Sequence, residues 1–559
     1  MKRILLSLIF ALVAFTGLQA QTIWDGTADT SWYNETSTEF EISTAEQLAG
    51  LAELVNNGND FSGKTILLTA DIVLNDTSDW ENWENSAPNN TWTPIGNSSN
   101  KFSDTFDGQG HTVSGVYINS ENKYQGLFGH NEGTIKNIGV TESYIKGEYS
   151  VGGVCGLNNT LRGTISNCYN SGAISGNEEV GGVCGGNYSG STISNCYNSG
   201  SINGTGEYTI AGGVCGENNG TISNSYNSGT VIGNRYVGGV CGSDSYGTIS
   251  NCYNTGTISG NLEVGGVCGW KTGTISNCYN TGTINGDENV GGVCGFSGDG
   301  TISNCYNTGT INGDSYVGGV CGYNYSGTIS NCYNSETVSG NNDNVGGVCG
   351  HNSGTISNCY NTGTISGYEE VGGVCGYNNE GTISDCYNSG IVSGDWLVGS
   401  VCGYNLYGTI SNCYYLEGTA EGGINGNDVS GQAEVKSAEQ LASGEVCWLL
   451  NEEQSEGAWG QKLGTDPCPV LGGPAVFKDG DIYYNEKTTA IEETNNEQAS
   501  FVIVSENLTI NIYGNGHEAT VFNLAGIVVY HGSERIIPVH NPGIYMVRIG
   551  NEVQKTIVR

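Results

Sequence analysis

From residue 151 to residue 414, apolar and polar positions follow one pattern written about ten times. Val180-Gly-Gly-Val-Cys184-Gly opens a unit, a short variable turn follows, and Ser191-Thr-Ile193-Ser-Asn195-Cys196-Tyr197-Asn-Ser-Gly200 closes it. The opening cysteine returns at Cys155, Cys184, Cys215, Cys241, Cys268, Cys294, Cys321, Cys349, Cys375 and Cys402, 26 to 31 residues apart. A unit of this size cannot bury its own apolar face, so neighbours must stack. The short Val-, Ile-, Thr- and Tyr-rich runs bounded by Gly and Asn predict strands. The chain is therefore expected to be all-β, a parallel β-solenoid of about eleven rungs of about 27 residues. The first rung is degenerate: Gly126-Leu-Phe128-Gly, with Ile138 at the second cysteine position, so the array spans 126–414.

In Gly-Thr-Ile-Ser-Asn-Cys-Tyr, strict alternation would put Ile and Cys on opposite faces. A left-handed or bridge conformation at Asn turns a corner instead, and Asn tolerates it. Ile249 and Cys252 then both point inward on either side of Asn251. Stacking predicts ladders of Ile (Ile165, Ile193, Ile222, Ile249), of Asn (Asn167, Asn195, Asn224, Asn251) and of Cys. The Asn side chains are expected to hydrogen-bond up the stack. At about 4.8 Å per rung the rod would be roughly 50 Å long.

The flanks have other textures. Lys2 and Arg3, the apolar run Ile4 to Leu18 and the small Ala20 read as a secretory signal peptide over 1–20, cleaved between Ala20 and Gln21. The apolar run is too short for a membrane span, so no transmembrane segment is expected. Residues 21–125 read as an N-terminal capping region. There Ser43 and Glu46 suggest a capping box, Ala45, Leu48, Ala52 and Val55 a helix, and Lys64 to Leu74 and Thr105 to Ile118 extended chain. Residues 415–486 read as a C-terminal capping region, with Ser437 and Gln440 repeating the capping box. Both helices are expected as lids over the open solenoid ends. Residues 487–495 read as linker, and 496–559 as about seven short strands of a small β-sandwich.

Composition narrows the partners. The formal net charge is −38, from 18 Lys+Arg against 56 Asp+Glu. Nothing of that balance neutralises phosphates, so nucleic acid is excluded, and anionic lipid is disfavoured. Between Val151 and Tyr414 the only cations are Arg162, Arg235 and Lys271, thin support for an enzyme built on a β-helix. No catalytic constellation stands out: the six His (111, 130, 351, 517, 531, 540) are scattered, and no zinc, P-loop or nucleophile-elbow motif occurs. No catalytic, cofactor or metal residue is assigned. The pairs Glu178-Glu179, Asp287-Glu288 and Glu369-Glu370 raise a weak Ca²⁺ reading, although calcium-loop signatures are missing.

The 21 cysteines need separate treatment. A secretory route permits disulfides. Yet Ser225 replaces one Asn-Cys-Tyr cysteine, and Phe128 and Ile138 stand at both sites of the first rung. The reading therefore favours a buried ladder of small hydrophobes over local bridges. Cys447 and Cys468, outside the array, are candidates for one disulfide. The tyrosines after the second cysteine, Tyr169, Tyr197, Tyr226, Tyr253, Tyr279, Tyr306, Tyr333, Tyr360, Tyr387 and Tyr414, form either a stacking ladder or an aromatic stripe for binding.

These units, with Gly126-Leu127-Phe128-Gly129 and the ten Val-Cys-Gly hexapeptides, resemble the GLUG repeat of bacterial surface proteins. That resemblance implies surface exposure and no defined activity. The C-terminus, with Val521-Phe-Asn-Leu-Ala-Gly526-Ile-Val-Val-Tyr530, Gly543-Ile-Tyr-Met-Val-Arg548 and Lys555-Thr-Ile-Val-Arg559, is similar to the type A sorting domain of type IX secretion in the Bacteroidota. It implies recognition by that machinery, passage across the outer membrane and attachment to surface polysaccharide. The expected function is a non-catalytic surface or secreted rod that binds glycans or host or surface proteins. The alternatives are a polysaccharide-processing β-helix enzyme and a purely structural spacer.

Overall fold

A computed structural model of the chain describes residues 23–59, 61–159, 162–485, 501–506, 509–514, 518–523, 528–539, 543–549 and 552–558. The expected signal peptide, its Ala20–Gln21 cleavage site and the linker 487–495 lie outside the described residues. The chain divides into two compact units, Met1–Glu486 and Lys487–Arg559.

The first unit is a parallel β-solenoid. Each rung lays down the same short strands in turn. Thr-Ile-Ser strands stack in one 14-stranded parallel sheet and Tyr-Asn strands in a second. The Ile/Val-Ser/Asn and Val-Gly strands build a third wall, and the Cys-Gly-x-Asn strands an 11-stranded sheet. Register is rung on rung: Ile165 pairs with Ile193, Ile193 with Ile222 and Ile222 with Ile249. The corner between Ile and Cys is left-handed as the residues predict, with φ of 53° at Asn167 and Asn195, 49° at Asn224 and 54° at Asn251. Ile249 and Cys252 are both fully buried. One continuous core runs from Trp24 and Ile42 to Ala433.

Stacking also explains the glycines at the next corner. A Cβ on Gly291 would lie 1.9 Å from the Cys294 carbonyl oxygen, and one on Gly292 would lie 2.1 Å from the Gly319 oxygen. The first contact lies within the rung's own turn and the second is with the neighbouring rung, and neither leaves room for a side chain.

The rod has 14 rungs in its longest sheets, not eleven. The additional rungs come from the N-terminal region: Glu39–Ile42, Thr65–Leu68 and Thr105–Asp107 precede Thr134–Lys136 in the first sheet. Backbone pairing needs no cysteine or tyrosine signature, so Phe40, Ile66 and Phe106 join the register with Ile135 without resembling the later units.

Helix α1 (Ala45–Asn56) buries Leu48, Leu51, Ala52 and Val55 in the solenoid core. Its cap lies one residue beyond the expected one: Thr44 accepts from the Gln47 amide, and Gln47 Oε1 accepts from the Ser43 amide at 2.9 Å. At the far end Ser437 and Gln440 form the expected capping box. Gly444, at φ +94°, then divides the helical stretch into α2 (Ala438–Ser443) and α3 (Glu445–Leu450). These two helices are not a lid on the solenoid core. Leu441, Val446, Cys447 and Leu450 join Trp459 and Val476 in a separate core laid over Tyr387 and Tyr414, on the flank of the last rungs.

The second unit holds two antiparallel sheets. Phe501–Glu506, Thr509–Gly514 and Ile536–Pro538 form one; Val528–Gly532, Ala519–Asn523, Gly543–Ile549 and Glu552–Val558 form the other. Ile510, Ile512, Val521, Ile537, Tyr545 and Val547 share its core.

Candidate binding face

The residues singled out in the sequence are first placed in the fold. All repeat cysteines are buried free thiols. Burial pushes Cys241 up to about 12 and Cys268, Cys294 and Cys321 well above the ordinary thiol value, which leaves them unreactive. Cys196 Sγ donates to the Ser194 carbonyl at 3.2 Å and accepts from the Cys168 amide at 3.4 Å. Ser225, one rung on, makes the same two bonds through Oγ, 2.8 Å to Ser223 O and 3.1 Å from the Cys196 amide. Serine thus stands in for cysteine with both hydrogen bonds kept, and in the first rung the buried Ile138 fills the same position by packing alone. Cys447 is buried on α3 and Cys468 sits at the edge of the same core; both are free thiols, so the bridge expected between them is not formed.

Asparagine ladders exist, but their continuous runs are displaced from the expected positions. The corner Asn side chains meet at Asn167 and Asn137, 3.0 Å. The unbroken run is three residues on, in Tyr-Asn. Asn280 donates to Asn307 and Asn307 to Asn334, each at 2.8 Å, and every Asn also closes its own turn, as Asn307 does with Gly309 O at 2.7 Å. A second run follows Cys-Gly-x and includes Asn324, Asn352, Asn378 and Asn405, each bond 2.8 Å.

The expected tyrosine stripe is a ladder of stacked rings. From Tyr169 to Tyr387 neighbouring rings lie 4.8–5.1 Å apart and within 10° of parallel. Each ring face is covered by the next ring, leaving edges and hydroxyls outward. Tyr387 and Tyr414 are fully covered by the C-terminal cap, where the Tyr387 hydroxyl donates to Pro469 O at 2.7 Å and Trp459 packs 5.4 Å from its ring. A cleft of about 430 Å³ marks where this cap ends, between Ala458 and Leu471 and the ladder residues Tyr306 and Tyr333.

A different aromatic row lies on the flank of the Cys-Gly-x-Asn sheet. Its x position pairs Trp270 with Phe296, Phe296 with Tyr323, Tyr323 with His351, His351 with Tyr377 and Tyr377 with Tyr404. Most of these rings tilt against one another, by 46° between Phe296 and Tyr323, 68° between Tyr323 and His351 and 83° between His351 and Tyr377, while Tyr377 and Tyr404 stack at 20°. All but His351 remain partly exposed. Tyr325, beside Tyr323, is 59 % exposed.

Beside this row stands the residue preceding each Val-Gly. Glu179, Tyr236, Glu263, Asn289, Tyr316, Asn344, Glu370 and Leu397 all have φ between 48° and 59°. A left-handed bend costs a bulky side chain roughly 1 kcal/mol or more. At the other left-handed corner the chain uses Asn, and once Asp385. Here the same backbone demand is met by Tyr, Glu, Asn and Leu, so the backbone is not what selects these side chains. They lean over the x row: Tyr236 on Trp270 at 6.0 Å, Tyr316 on Tyr323 and on His351 at 5.8 Å, Asn344 Oδ1 at 3.3 Å from His351 Nδ1.

Carboxylates share this face. Glu179 is buried, bonded to the hydroxyls of Tyr149, Ser150 and Tyr188. Burial, with Glu217 adjacent, pushes it up to about 8. Glu370 is pushed up to about 7 by burial and by the charges of Asp343 and Glu369. Burial holds His351 neutral, at about 4. Among the described residues no group of three or more His, Cys, Asp or Glu is arranged to hold a metal ion.

The family model described as "The GLUG motif" matches residues 176–203, 233–259, 286–312, 313–339 and 341–366. Over 159 residues the chain is 30% identical to halomucin of Haloquadratum walsbyi, covering 27% of this chain and 2% of that protein. It is 34% identical over 79 residues to a protein described as a Gly-rich membrane protein in Evansella cellulosilytica, covering 14% of this chain and 9% of that one. The chain thus spans a small fraction of the length of both relatives. A crystal structure of a candidate immunoglobulin A1 protease from Bacteroides ovatus aligns at 18% identity and TM-score 0.28, covering 78% of this chain and 92% of that one, a similarity too low to carry an argument. Among the described residues no helix is long and apolar enough to cross a membrane.

The GLUG-matched segments contain part of both aromatic columns, Tyr197, Tyr253, Tyr306, Tyr333 and Tyr360 of the ladder and Phe296, Tyr323 and His351 of the x row. Within them the inward Ile and Cys and the flank Tyr repeat, while the corner and x positions change from rung to rung. The ordered pattern drew attention to the flank tyrosines. The x row carried a weaker signal, an aromatic two residues after the first cysteine at Trp270, Phe296, Tyr323, Tyr377 and Tyr404.

Proposed function

We propose that the chain is a non-catalytic rod of the cell surface or its surroundings that binds a glycan or a protein partner along the Cys-Gly-x-Asn flank. One observation carries this reading: a row of varied, mostly tilted, partly exposed aromatic rings lies under a left-handed corner where Tyr236, Tyr316, Glu370 and Leu397 stand on a backbone that suits Asn better. The names of the two relatives, a halomucin and a Gly-rich membrane protein, support a surface setting. The C-terminal unit is proposed as the address read by a type IX secretion machinery, with surface polysaccharide as the anchor. Its sequence resemblance to sorting domains and its separation from the solenoid as a compact unit support that role.

The test is a panel of glycans and surface proteins presented to the full chain and to a Tyr323→Ala/Tyr377→Ala variant. Binding that disappears in the variant, while the thermal transition of the solenoid is retained, is the expected result. Equal binding by both chains would remove this face from the function. The spacer reading is favoured by one observation, the sealed ring faces of the flank tyrosine ladder, and no binding by either chain would leave that reading standing.

A further inference from the structure

The N-terminal half of the binding face already holds cations of its own. Arg235 sits with its guanidinium 4.7 Å from the ring centroid of Tyr236 and 3.3 Å from Glu263 Oε2, between an aromatic corner residue and a carboxylate one rung on. Lys123 lies in the same column, its ammonium 4.9 Å from the Tyr149 ring. A ring face and a carboxylate together suit a guanidinium or ammonium group, by cation–π attraction and a charge-assisted hydrogen bond.

The C-terminal half also places tyrosine and carboxylates on this face, without the cation. The column of Arg235 continues rung by rung through Leu262, Glu288, Ser315, Asp343 and Glu369 to Trp396. Tyr316 at the corner lies within the fields of Asp343, Glu288 and Glu370. From Lys271 to Lys436 the sequence has neither Lys nor Arg, and Lys271 itself is fully buried, donating to Asp299 O at 2.8 Å. A long face of carboxylates and tyrosines is therefore unneutralised where its N-terminal counterpart supplies its own Arg and Lys.

We propose, resting on the binding-rod reading above, that the rungs from Glu288 to Tyr404 receive a lysine- and arginine-rich extended segment of a partner polypeptide. Its cationic groups lie between the rings of Tyr316, Tyr323 and Tyr377 and the carboxylates of Asp343, Glu369 and Glu370. Arg235 is the intramolecular template for each contact. The charge complementarity also turns away sulfated and sialylated glycans, which meet a chain of net charge −38. The tilts of 46–83° from Phe296 to Tyr377 interrupt any continuous flat platform on which a neutral sugar chain would lie.

The experiment measures binding of a nona-arginine and a nona-lysine peptide to the full chain, with nona-glutamate as control, at low and high NaCl. The variants are Asp343→Asn/Glu370→Gln and Tyr323→Ala on the face. The controls are Glu417→Gln/Glu421→Gln, which removes two exposed carboxylates elsewhere, and Tyr279→Phe on the other ladder. The expected result is binding by the cationic peptides that weakens with salt and falls about tenfold in each face variant, with the controls at the wild-type value. Equal loss in Glu417→Gln/Glu421→Gln would reduce the effect to net charge and overturn the proposal. Failure of the peptides together with Tyr323-dependent binding of a glycan would overturn the basic partner and keep the binding rod. Failure of both would overturn both.

Discussion

Two aromatic columns share the later rungs of the same solenoid, one from Tyr169 to Tyr414 and one from Trp270 to Tyr404, and they obey opposite rules. On the Asn-Cys-Tyr flank every rung from Tyr169 to Tyr414 carries tyrosine, and from Tyr169 to Tyr387 the rings stack within 10° of parallel at 4.8–5.1 Å. On the Cys-Gly-x-Asn flank the residue changes from Trp to Phe, Tyr and His, and the rings tilt by as much as 83°. Identical residues at identical positions seal each other's faces, so the tyrosine ladder contributes packing and presents little beyond edges. Varied residues cannot settle into one repeating contact, and they leave surface that a partner can use. Uniformity in this rod marks what holds it together, and variation marks what it shows.

The largest expected effect lies beneath the uniform column. Asn307→Ala removes the donor to Asn334 and Gly309 and the acceptor for Asn280 and the Gly309 amide, all buried. Denaturant unfolding of the variant should show a loss of about 3 kcal/mol or more, since each orphaned buried group costs about 1–3 kcal/mol. A loss below about 1 kcal/mol would mean that this flank is not what holds the rungs in register. Glu179, on the varied flank, brings a pH signature instead. Its folded value of about 8 lies above the ordinary 4.5, so the folded state binds the extra proton. Its contribution is full below about pH 4.5 and is lost as the pH rises through about 8. Melting temperatures from pH 4 to pH 9 should therefore fall less steeply in Glu179→Gln than in the wild type; parallel curves would contradict the burial that sets this group apart.

Tyr279→Ala breaks two stacks of 4.9 Å each and should cost about 2 kcal/mol in the same unfolding measurement, without altering binding at the other face. Tyr377→Ala should do the reverse, reducing binding more than stability. If both tyrosines behaved alike, the contrast between the columns would fail. The smallest effect is expected from Cys252→Ser, within about 1 kcal/mol of wild type, because Ser225 already makes the same two hydrogen bonds. Unfolding in the presence and absence of reductant should leave both proteins unchanged; a shift with reductant would reveal a bridge.

The legible part of this molecule was the local part. Period, strand content and the left-handed corner at Asn251 follow from residues within one unit, because a corner between Ile and Cys needs only a residue that tolerates positive φ. Three rungs were missed since Phe40, Ile66 and Phe106 pair through backbone and carry none of the Cys and Tyr signature. The continuous asparagine bonds run at the fully buried Asn280, Asn307 and Asn334 and not along the Asn-Cys corner, where side chains such as Asn251 and Asn277 are exposed to solvent. The C-terminal helices read as a lid, yet their apolar faces find Tyr387 and Tyr414 on the side of the rod.

The sequence by itself determined the repeat, its inward Ile and Cys, its Asn corner and its acidic charge, because each is a property of one rung or of composition. Only the tertiary structure decided which aromatic column is sealed and which is open. That depends on how each ring meets the ring one rung away, about 27 residues distant in the chain and about 5 Å distant in space. It also decided that Arg235 sits on Tyr236 against Glu263, a contact that spans a rung and has no trace in either unit read alone.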